Sequence, residues 1–217
     1  MSYDLHLHPS PDHISDTLRS GKFYEQHVFE GFQEYIPNNG TFLDIGANIG
    51  NHSLMFQQVF SEREVFCFEA SPMNFVLLQH NLSPYQNITP ICCGLGDKFE
   101  VVKFIHFPQN FGGSGVATNY PTYIDQKPIE SYPTISVIVN KLDEFNLKDI
   151  SFIKMDIEGH EMFAIKGGLE TIKRDKPLIW LEDFHYDKDI KQSPTQYLID
   201  ELGYNLIKRI ECNFLLK

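Results

Sequence analysis

The 217-residue sequence has few cysteines, no long apolar run and no excess of basic side chains. Its four cysteines form no CxxC pair, so we expect buried, reduced thiols in a cytosolic protein rather than a disulfide framework or a zinc site. No apolar run approaches the ~20 residues that span a bilayer, and the first residues lack the basic and apolar regions of a signal peptide. With 29 acidic and 18 basic side chains the net charge is −11, which disfavours binding to nucleic acids or anionic membranes.

The composition is that of an ordinary globular domain. Hydrophobic residues make up 42% and charged residues 22% of the chain, which excludes wholesale disorder. We divide the sequence into an N-terminal extension with a helix, residues 1–40, and one domain, residues 41–217. Near the N-terminus, the spacing of His6, His8, Asp12 and His13 matches no zinc pattern, so we expect a mobile polar segment there.

From residue 41 onward, short apolar segments alternate with helical patterns, which predicts a doubly wound parallel α/β sheet. The predicted strands are 41–45, 64–69, 88–93, 150–157 and 177–182, and the predicted helices are 51–60, 71–81, 160–173 and 194–202. A closing hairpin, 204–210 and 213–216, brings the sheet to about seven strands with the last one antiparallel. The long insertion 97–149 interrupts this pattern, and we expect it to be a lid or substrate loop.

The strongest local motif is LDIGANIGNH, residues 43–52, in which a strand runs through a glycine turn into a helix. This geometry lets backbone N–H groups face a ligand at close range. A dinucleotide fingerprint would need glycine at Asn48 and Asn51, which disfavours an NAD-dependent oxidoreductase but leaves it as an alternative. Asp44, at the end of the strand, suits a cationic ligand group such as an ammonium or a sulfonium.

A second acidic residue follows the next predicted strand. Glu69 lies 19 residues after Gly50, close to the ~20 expected of an acid that accepts hydrogen bonds from ribose hydroxyls. After the third predicted strand comes Gly94-Leu95-Gly96-Asp97, whose backbone and acid could line an adenine. A nucleoside-binding module without catalysis is therefore a further alternative.

Five segments in this order and spacing resemble the FkbM family of S-adenosylmethionine-dependent methyltransferases: LDIGANIGNHS, FCFEASP, GLGD, VNKLDEF and FIKMDIEGHEMFAIKGG. The resemblance implies a class I, Rossmann-like methyltransferase fold and methyl transfer to a hydroxyl of a sugar, glycan or small natural product. It also implies roles for particular residues. Those expected to contact the methionine portion of the cofactor are Asp44, Gly46, Ala47, Asn48 and Gly50. Glu69 is expected to hold the ribose, Ser71 and Asn74 to line its surroundings, and Gly96 and Asp97 to lie near the adenine. Apart from the resemblance, we expect Asp156 to bond the cofactor if no metal ion is bound.

The catalytic residues are expected beyond the fourth and fifth predicted strands, because ligands sit at the carboxyl ends of parallel strands. Methyl transfer to a hydroxyl needs a base, and His160, His185 or Asp156 could take the proton.

Asp156 together with Glu182 and Asp183 also resembles the acids of metal-dependent O-methyltransferases. Three hard oxygen ligands suit Mg²⁺, which would acidify the hydroxyl itself. We favour the metal-free route, because the FkbM resemblance is the stronger of the two.

Overall fold

In the computed structural model, which describes residues 5–107, 109–121, 123–124, 127–188 and 190–217, the chain is built around a sheet of seven strands. The strands are β1 (Thr41–Ile45), β2 (Val65–Glu69), β3 (Ile88–Cys92), β4 (Gly94–Leu95), β5 (Glu100–Ile105), β6 (Gly115–Val116), β7 (Tyr123–Ile124), β8 (Lys127–Pro128), β9 (Thr134–Asn140), β10 (Ile150–Met155), β11 (Leu178–Glu182), β12 (Leu206–Ile210) and β13 (Asn213–Leu216). The α-helices are α1 (His13–Arg19), α2 (Gln26–Phe32), α3 (Asn51–Val59), α4 (Pro72–Leu82), α5 (Glu161–Gly167), α6 (Leu169–Asp175) and α7 (Pro194–Leu202). Short 3₁₀ helices cover Gln33–Tyr35, Phe111–Gly113, Ala117–Asn119, Ile129–Ser131, Leu142–Phe145 and Ile190–Gln192.

The large sheet has the strand order β12-β13-β11-β10-β1-β2-β3. Strands β11, β10, β1, β2 and β3 run parallel to one another. Strand β13 lies between β11 and β12 and is antiparallel to both. This arrangement confirms the predicted seven-stranded α/β sheet with an antiparallel last strand. Since the carboxyl ends of β1, β2 and β10 share one edge, the motifs that follow these strands meet there.

Helix α4 begins as its sequence predicts. Ser71 precedes Pro72 at the start of α4, and its Oγ accepts a hydrogen bond from the Asn74 backbone N–H at 3.3 Å. The single helix predicted over 160–173 is wrong, because Gly168 separates α5 from α6. No helix in the described residues is long and apolar enough to span a membrane.

The insertion 97–149 is organised around a second sheet, so its description as a loop is incomplete. Strands β5 and β9 pair antiparallel over six residue pairs, and β4 and β6 flank them. The alternating apolar residues of EVVKFI and TISVIVN are the pattern that this pairing requires.

The N-terminal segment packs against the domain. Helix α2 contributes Val28, Phe29 and Phe32 to the hydrophobic core. The described residues before α2 are not the mobile polar segment that we expected, because His8 is only 5% exposed and Asp12 only 2%.

Candidate functional site

A cleft of about 810 Å³, including space open to solvent, lies at the carboxyl ends of β1, β2, β4 and β10. Its walls come from the turns after these strands, from α1 and from the insertion. Of the sequence-predicted site residues, those that line the cleft are Gly46, Ala47, Asn48, Glu69, Asn74, Asp156 and His160.

The turn after β1 is held in a tight conformation by the sheet. Gly46 and Ala47 donate backbone hydrogen bonds to the Phe68 carbonyl oxygen at 2.9 and 3.0 Å. Gly46 has φ +83°, and a Cβ placed on it would lie 1.8 Å from the Asp156 carbonyl oxygen. Glycine is therefore required here by the close approach of the neighbouring strand. Gly50 lies outside the cleft wall, where its Cβ would contact Leu78 and Leu82.

Asp44 is fully buried at the end of β1, behind the cleft wall. Its Oδ2 accepts a hydrogen bond from Ser53 Oγ at 2.5 Å. Its Oδ1 has no hydrogen-bond partner among the residues that the structure describes, and the same holds for Asn48 Oδ1 in the wall itself. Both atoms are acceptors without a donor.

Glu69 presents a fixed carboxylate to the cleft. Its Oε2 accepts from the Asn48 backbone N–H at 2.9 Å, and its Oε1 accepts from the Ser71 N–H at 2.7 Å. Asn74 Nδ2 lies 3.5 Å from the same Oε1. Burial raises the pKa of Glu69 to about 7, despite these hydrogen bonds. Ser71 itself caps α4 and does not line the cleft.

The wall expected from Gly96 and Asp97 is formed instead by the residues just before them, Cys93, Gly94 and Leu95. Gly96 is packed against α5, since a Cβ on Gly167 would lie 1.8 Å from the Gly96 carbonyl oxygen. Neither Gly96 nor Asp97 lines the cleft.

A buried lysine lies among the carboxylates at the other side of the cleft. Lys154 on β10 is 1% exposed, and its Nζ lies 3.2 Å from Asp156 Oδ2. Burial favours the neutral amine, but the charges of Asp156, Asp44 and Glu25 outweigh it and raise the pKa of Lys154. The lysine therefore stays charged and neutralises this acidic group.

Glu25 and Tyr24 extend the site from the N-terminal part. Burial opposes ionisation of Glu25, but the His52 imidazole, with Nε2 at 3.3 Å from Oε2, lowers its pKa to about 2. Tyr24 lines the cleft, and burial together with the nearby carboxylates raises its pKa to about 12.

Glu158 lines the cleft in a strained backbone conformation. It has φ +54°, in the left-handed region that a non-glycine residue seldom adopts, and Gly159 follows with φ +85°. These residues end the strand, so β10 stops at Met155 rather than at the predicted 157. Burial, and then the charges of Asp156 and Glu161, raise the pKa of Glu158.

His160 also lines the cleft, at the end near Gly96. Its Nδ1 lies 3.4 Å from Asn119 Nδ2, and its ring stacks on Phe163 with centroids 4.7 Å apart. A Cβ on Gly96 would lie 3.3 Å from Nε2. Burial lowers the pKa of His160, so the ring is neutral at physiological pH.

The residues after β11 do not join this site. The Asp183 carboxylate accepts hydrogen bonds from the backbone N–H groups of His185, Tyr186 and Thr195 and from Ser193 Oγ. With its oxygens occupied, Asp183 is not available to the metal site that the sequence left open. Glu182, whose pKa burial and Asp156 raise, accepts from Cys212 Sγ at 3.0 Å. No cluster of metal-ligating side chains occurs in the described residues, and neither Glu182 nor His185 lines the cleft.

Comparison with known proteins identifies the family. The sequence model of the Methyltransferase FkbM domain matches residues 44–212. The chain belongs to the FkbM methyltransferase family. It is 27% identical over 168 residues to Methyltransferase 1 of Beauveria bassiana, covering 70% of this chain and 62% of that protein. It is also 27% identical over 172 residues to the 2-O-methyltransferase NoeI of Sinorhizobium fredii, covering 74% of this chain and 70% of that one.

Solved structures agree on the fold. An FkbM methyltransferase from Methylobacillus flagellatus superposes with a TM-score of 0.58 at 22% identity, covering 82% of this chain and 43% of that chain. A precorrin-6y C5,15-methyltransferase from Geobacter metallireducens superposes with a TM-score of 0.50 at 13% identity, covering 89% and 87%. The chain has the fold of the class I methyltransferases, and it spans less than two thirds of the fungal relative and less than half of the Methylobacillus chain.

Sequence reasoning missed several residues of this FkbM site. Lys154 follows the alternation of β10 and lies two residues before Asp156, so both side chains project from the same face of the strand. This two-residue spacing is a sequence signal that Lys154 lies beside Asp156. No sequence signal placed Tyr24 at the cleft or Glu25 beside His52, because both lie before the matched region.

Proposed function

We propose that the protein transfers a methyl group from S-adenosylmethionine to a hydroxyl oxygen of a sugar, glycan or small natural product. The observation that carries the proposal is one cleft lined both by the fixed carboxylate of Glu69 and by the charged group Lys154, Asp156 and Glu158. Family membership supports methyl transfer, and the name of the relative NoeI supports an oxygen acceptor.

The cleft residues fit S-adenosylmethionine. Glu69 has two oxygens held by backbone N–H groups, and a carboxylate so placed can accept from both ribose hydroxyls. Asn48 Oδ1 is a buried acceptor without a partner among the described residues, which suits a donor group of the ligand. Leu95 and Val139 are 2% and 1% exposed and supply an apolar wall for the nucleobase.

When bound, S-adenosylmethionine supplies an electrophilic methyl group on a sulfonium. The residues of this chain must then bind the acceptor hydroxyl in line with that methyl group and remove its proton. We assign the removal of this proton to Glu158, which lines the cleft and whose raised pKa makes it a stronger base than an ordinary glutamate. Asp156 is the less available of the two carboxylates, because its Oδ2 already accepts a hydrogen bond from the Lys154 ammonium at 3.2 Å.

Asp156 and His160 remain the alternative bases. His160 is the less suited of the two, because its Nε2 lies beside Gly96, next to the wall we assign to the nucleobase. Tyr24 faces the same carboxylates as Glu158, and its neutral phenol could donate a hydrogen bond to the acceptor.

The test is product analysis with S-adenosylmethionine carrying a deuterated methyl group. Free sugars, oligosaccharides, phenols and amines serve as acceptors, and mass spectrometry locates the label. We expect label on a hydroxyl oxygen, with Glu69→Ala as the matched variant that loses the activity. Label found only on nitrogen would contradict the hydroxyl assignment, and no release of S-adenosylhomocysteine with any acceptor would contradict the reaction.

A further inference from the structure

The N-terminal segment, residues 5–22, forms part of the cleft although it lies outside the region matched by the family. Ile14 of α1 lines the cleft beside Phe111 and Gly112 of the insertion. A Cβ on Gly112 would lie 3.1 Å from Ile14 Cδ1, so the two segments are in close contact.

Asp12 fixes the N-terminal segment to the insertion. Its Oδ1 accepts from the Phe111 backbone N–H, and its Oδ2 caps α1 by accepting from the Ser15 N–H, both at 3.0 Å. The His8 backbone N–H in turn donates to Ser15 Oγ at 3.1 Å. These contacts hold the backbone of His8 in place above α4.

The side chain of His8 continues this contact toward the cleft. Its Nε2 lies 2.8 Å from Asn74 Oδ1, and its ring stacks on Phe111 with centroids 3.9 Å apart and planes 8° apart. Because Asn74 Oδ1 only accepts hydrogen bonds, His8 must donate through Nε2. The other end of the amide, Asn74 Nδ2, then faces Glu69 Oε1.

We propose that His8 is a positioning residue for the cofactor: it orients the Asn74 amide, and the amide orients the Glu69 carboxylate toward the ribose. His8 does not line the cleft, so it acts through Asn74 and not by contact with the ligand. This inference rests on the proposed function, because it assigns Glu69 to S-adenosylmethionine. It also gives the N-terminal segment a role in the site that the matched region alone does not contain.

Two substitutions distinguish the hydrogen bond that His8 donates from the packing of its ring. His8→Phe keeps an aromatic ring against Phe111 and removes the donor, whereas His8→Gln restores a donor near the position of Nε2. Calorimetric titration with S-adenosylhomocysteine is expected to give about 10-fold weaker binding for His8→Phe and binding within about 3-fold of wild type for His8→Gln. His13→Phe and His13→Gln, at an exposed histidine of the same segment, should bind as wild type.

A double-mutant cycle with Asn74→Ala tests the relay itself. Once Asn74 is absent, we expect the change of His8 to Phe to have no further effect on binding. If His8→Phe does not fold, His8→Asn, whose amide is too short to reach Asn74, takes its place.

Two results would overturn the inference. Binding by His8→Phe or its substitute within about 2-fold of wild type would remove His8 from cofactor positioning, as would additive effects in the cycle. If the wild-type protein fails to bind S-adenosylhomocysteine, the proposed function fails first, and the inference falls with it.

Discussion

Lys154 Nζ lies 3.2 Å from Asp156 Oδ2, and the lysine is almost completely buried. Several carboxylates at one sheet edge repel one another, so the fold needs a positive charge among them. The sequence left open a Mg²⁺ ion at Asp156, Glu182 and Asp183 for this purpose. In the structure Lys154 supplies the positive charge. The raised pKa values of Glu158 and Glu182 also reduce the negative charge of the group.

Replacement of the lysine by an uncharged side chain of similar length tests this role. Lys154→Met should lower the free energy of unfolding by about 3–5 kcal/mol, because it leaves buried carboxylates without their counter-charge. Urea unfolding measures the change. Lys98→Met is the matched control, since Lys98 pairs with Glu100 on the surface at 3.3 Å and should matter by less than about 1 kcal/mol. Equal effects of the two substitutions would contradict the account.

Gly46 allows a comparison of steric contact with backbone strain. Gly46→Ala adds a Cβ at 1.8 Å from a backbone oxygen in a left-handed conformation, and we expect a loss of about 3–5 kcal/mol of stability. Gly21→Ala has a similar φ of +79° with nothing within 4 Å, so it should cost only about 1 kcal/mol. Thermal or urea unfolding of both variants checks this. If the two costs are equal, the packing against Asp156 is not what requires glycine.

The base is identified by the pH dependence of the rate, once an acceptor is in hand. Glu158 accepts a proton only when ionised, and its pKa is raised to about 8, so the rate should rise with pH and level off above that value. With His160 as the base, the lowered pKa of the ring predicts a rate that is already constant at neutral pH. Glu158→Gln should reduce kcat by about 100-fold or more. A flat profile with full activity in Glu158→Gln would transfer the role to His160 or Asp156.

Asp183 is expected to act on stability and not on metal binding. Asp183→Asn replaces one accepting oxygen by a donor, which leaves Ser193 Oγ or backbone N–H groups unpaired and should cost about 2–4 kcal/mol. Asp187→Asn, at an exposed residue paired with Arg209, is the control and should leave the free energy of unfolding close to that of wild type. Neither Mg²⁺ nor a chelator should shift the melting temperature of any of the three proteins, and a clear Mg²⁺-dependent rise would contradict this.

Much of the fold was predictable because its determinants are local. The Ser71-Pro72 start of α4 and the apolar strand 41–45 carry their own signals of capping and burial. The break at Gly168 was not predictable, because a glycine inside a helical pattern is often tolerated, whereas here Gly168 separates α5 from α6.

The site was predictable where a residue follows directly from a strand end, as for Glu69 and Asp156. Asp183 also follows a strand, yet its side chain caps its own loop, which depends on hydrogen bonds that spacing does not reveal. Tyr24 reaches the cleft from the N-terminal part, and His8 contacts Asn74 of the cleft wall, through tertiary packing alone.

The most direct measurement of the central claim is calorimetric titration of wild type and Glu69→Ala with S-adenosylhomocysteine and with NAD⁺, between pH 6 and pH 8. The free carboxyl has a pKa of about 7, and ribose hydroxyls donate to its ionised form, so binding must release a proton below that pH. Wild-type affinity for S-adenosylhomocysteine should therefore increase up to about pH 7 and then level off. Glu69→Ala should bind S-adenosylhomocysteine about 10- to 150-fold more weakly, because charged hydrogen bonds contribute ~1.5–3 kcal/mol. NAD⁺ should not bind to the wild-type protein at comparable concentrations. Unchanged affinity in Glu69→Ala, or tighter binding of NAD⁺, would contradict the account.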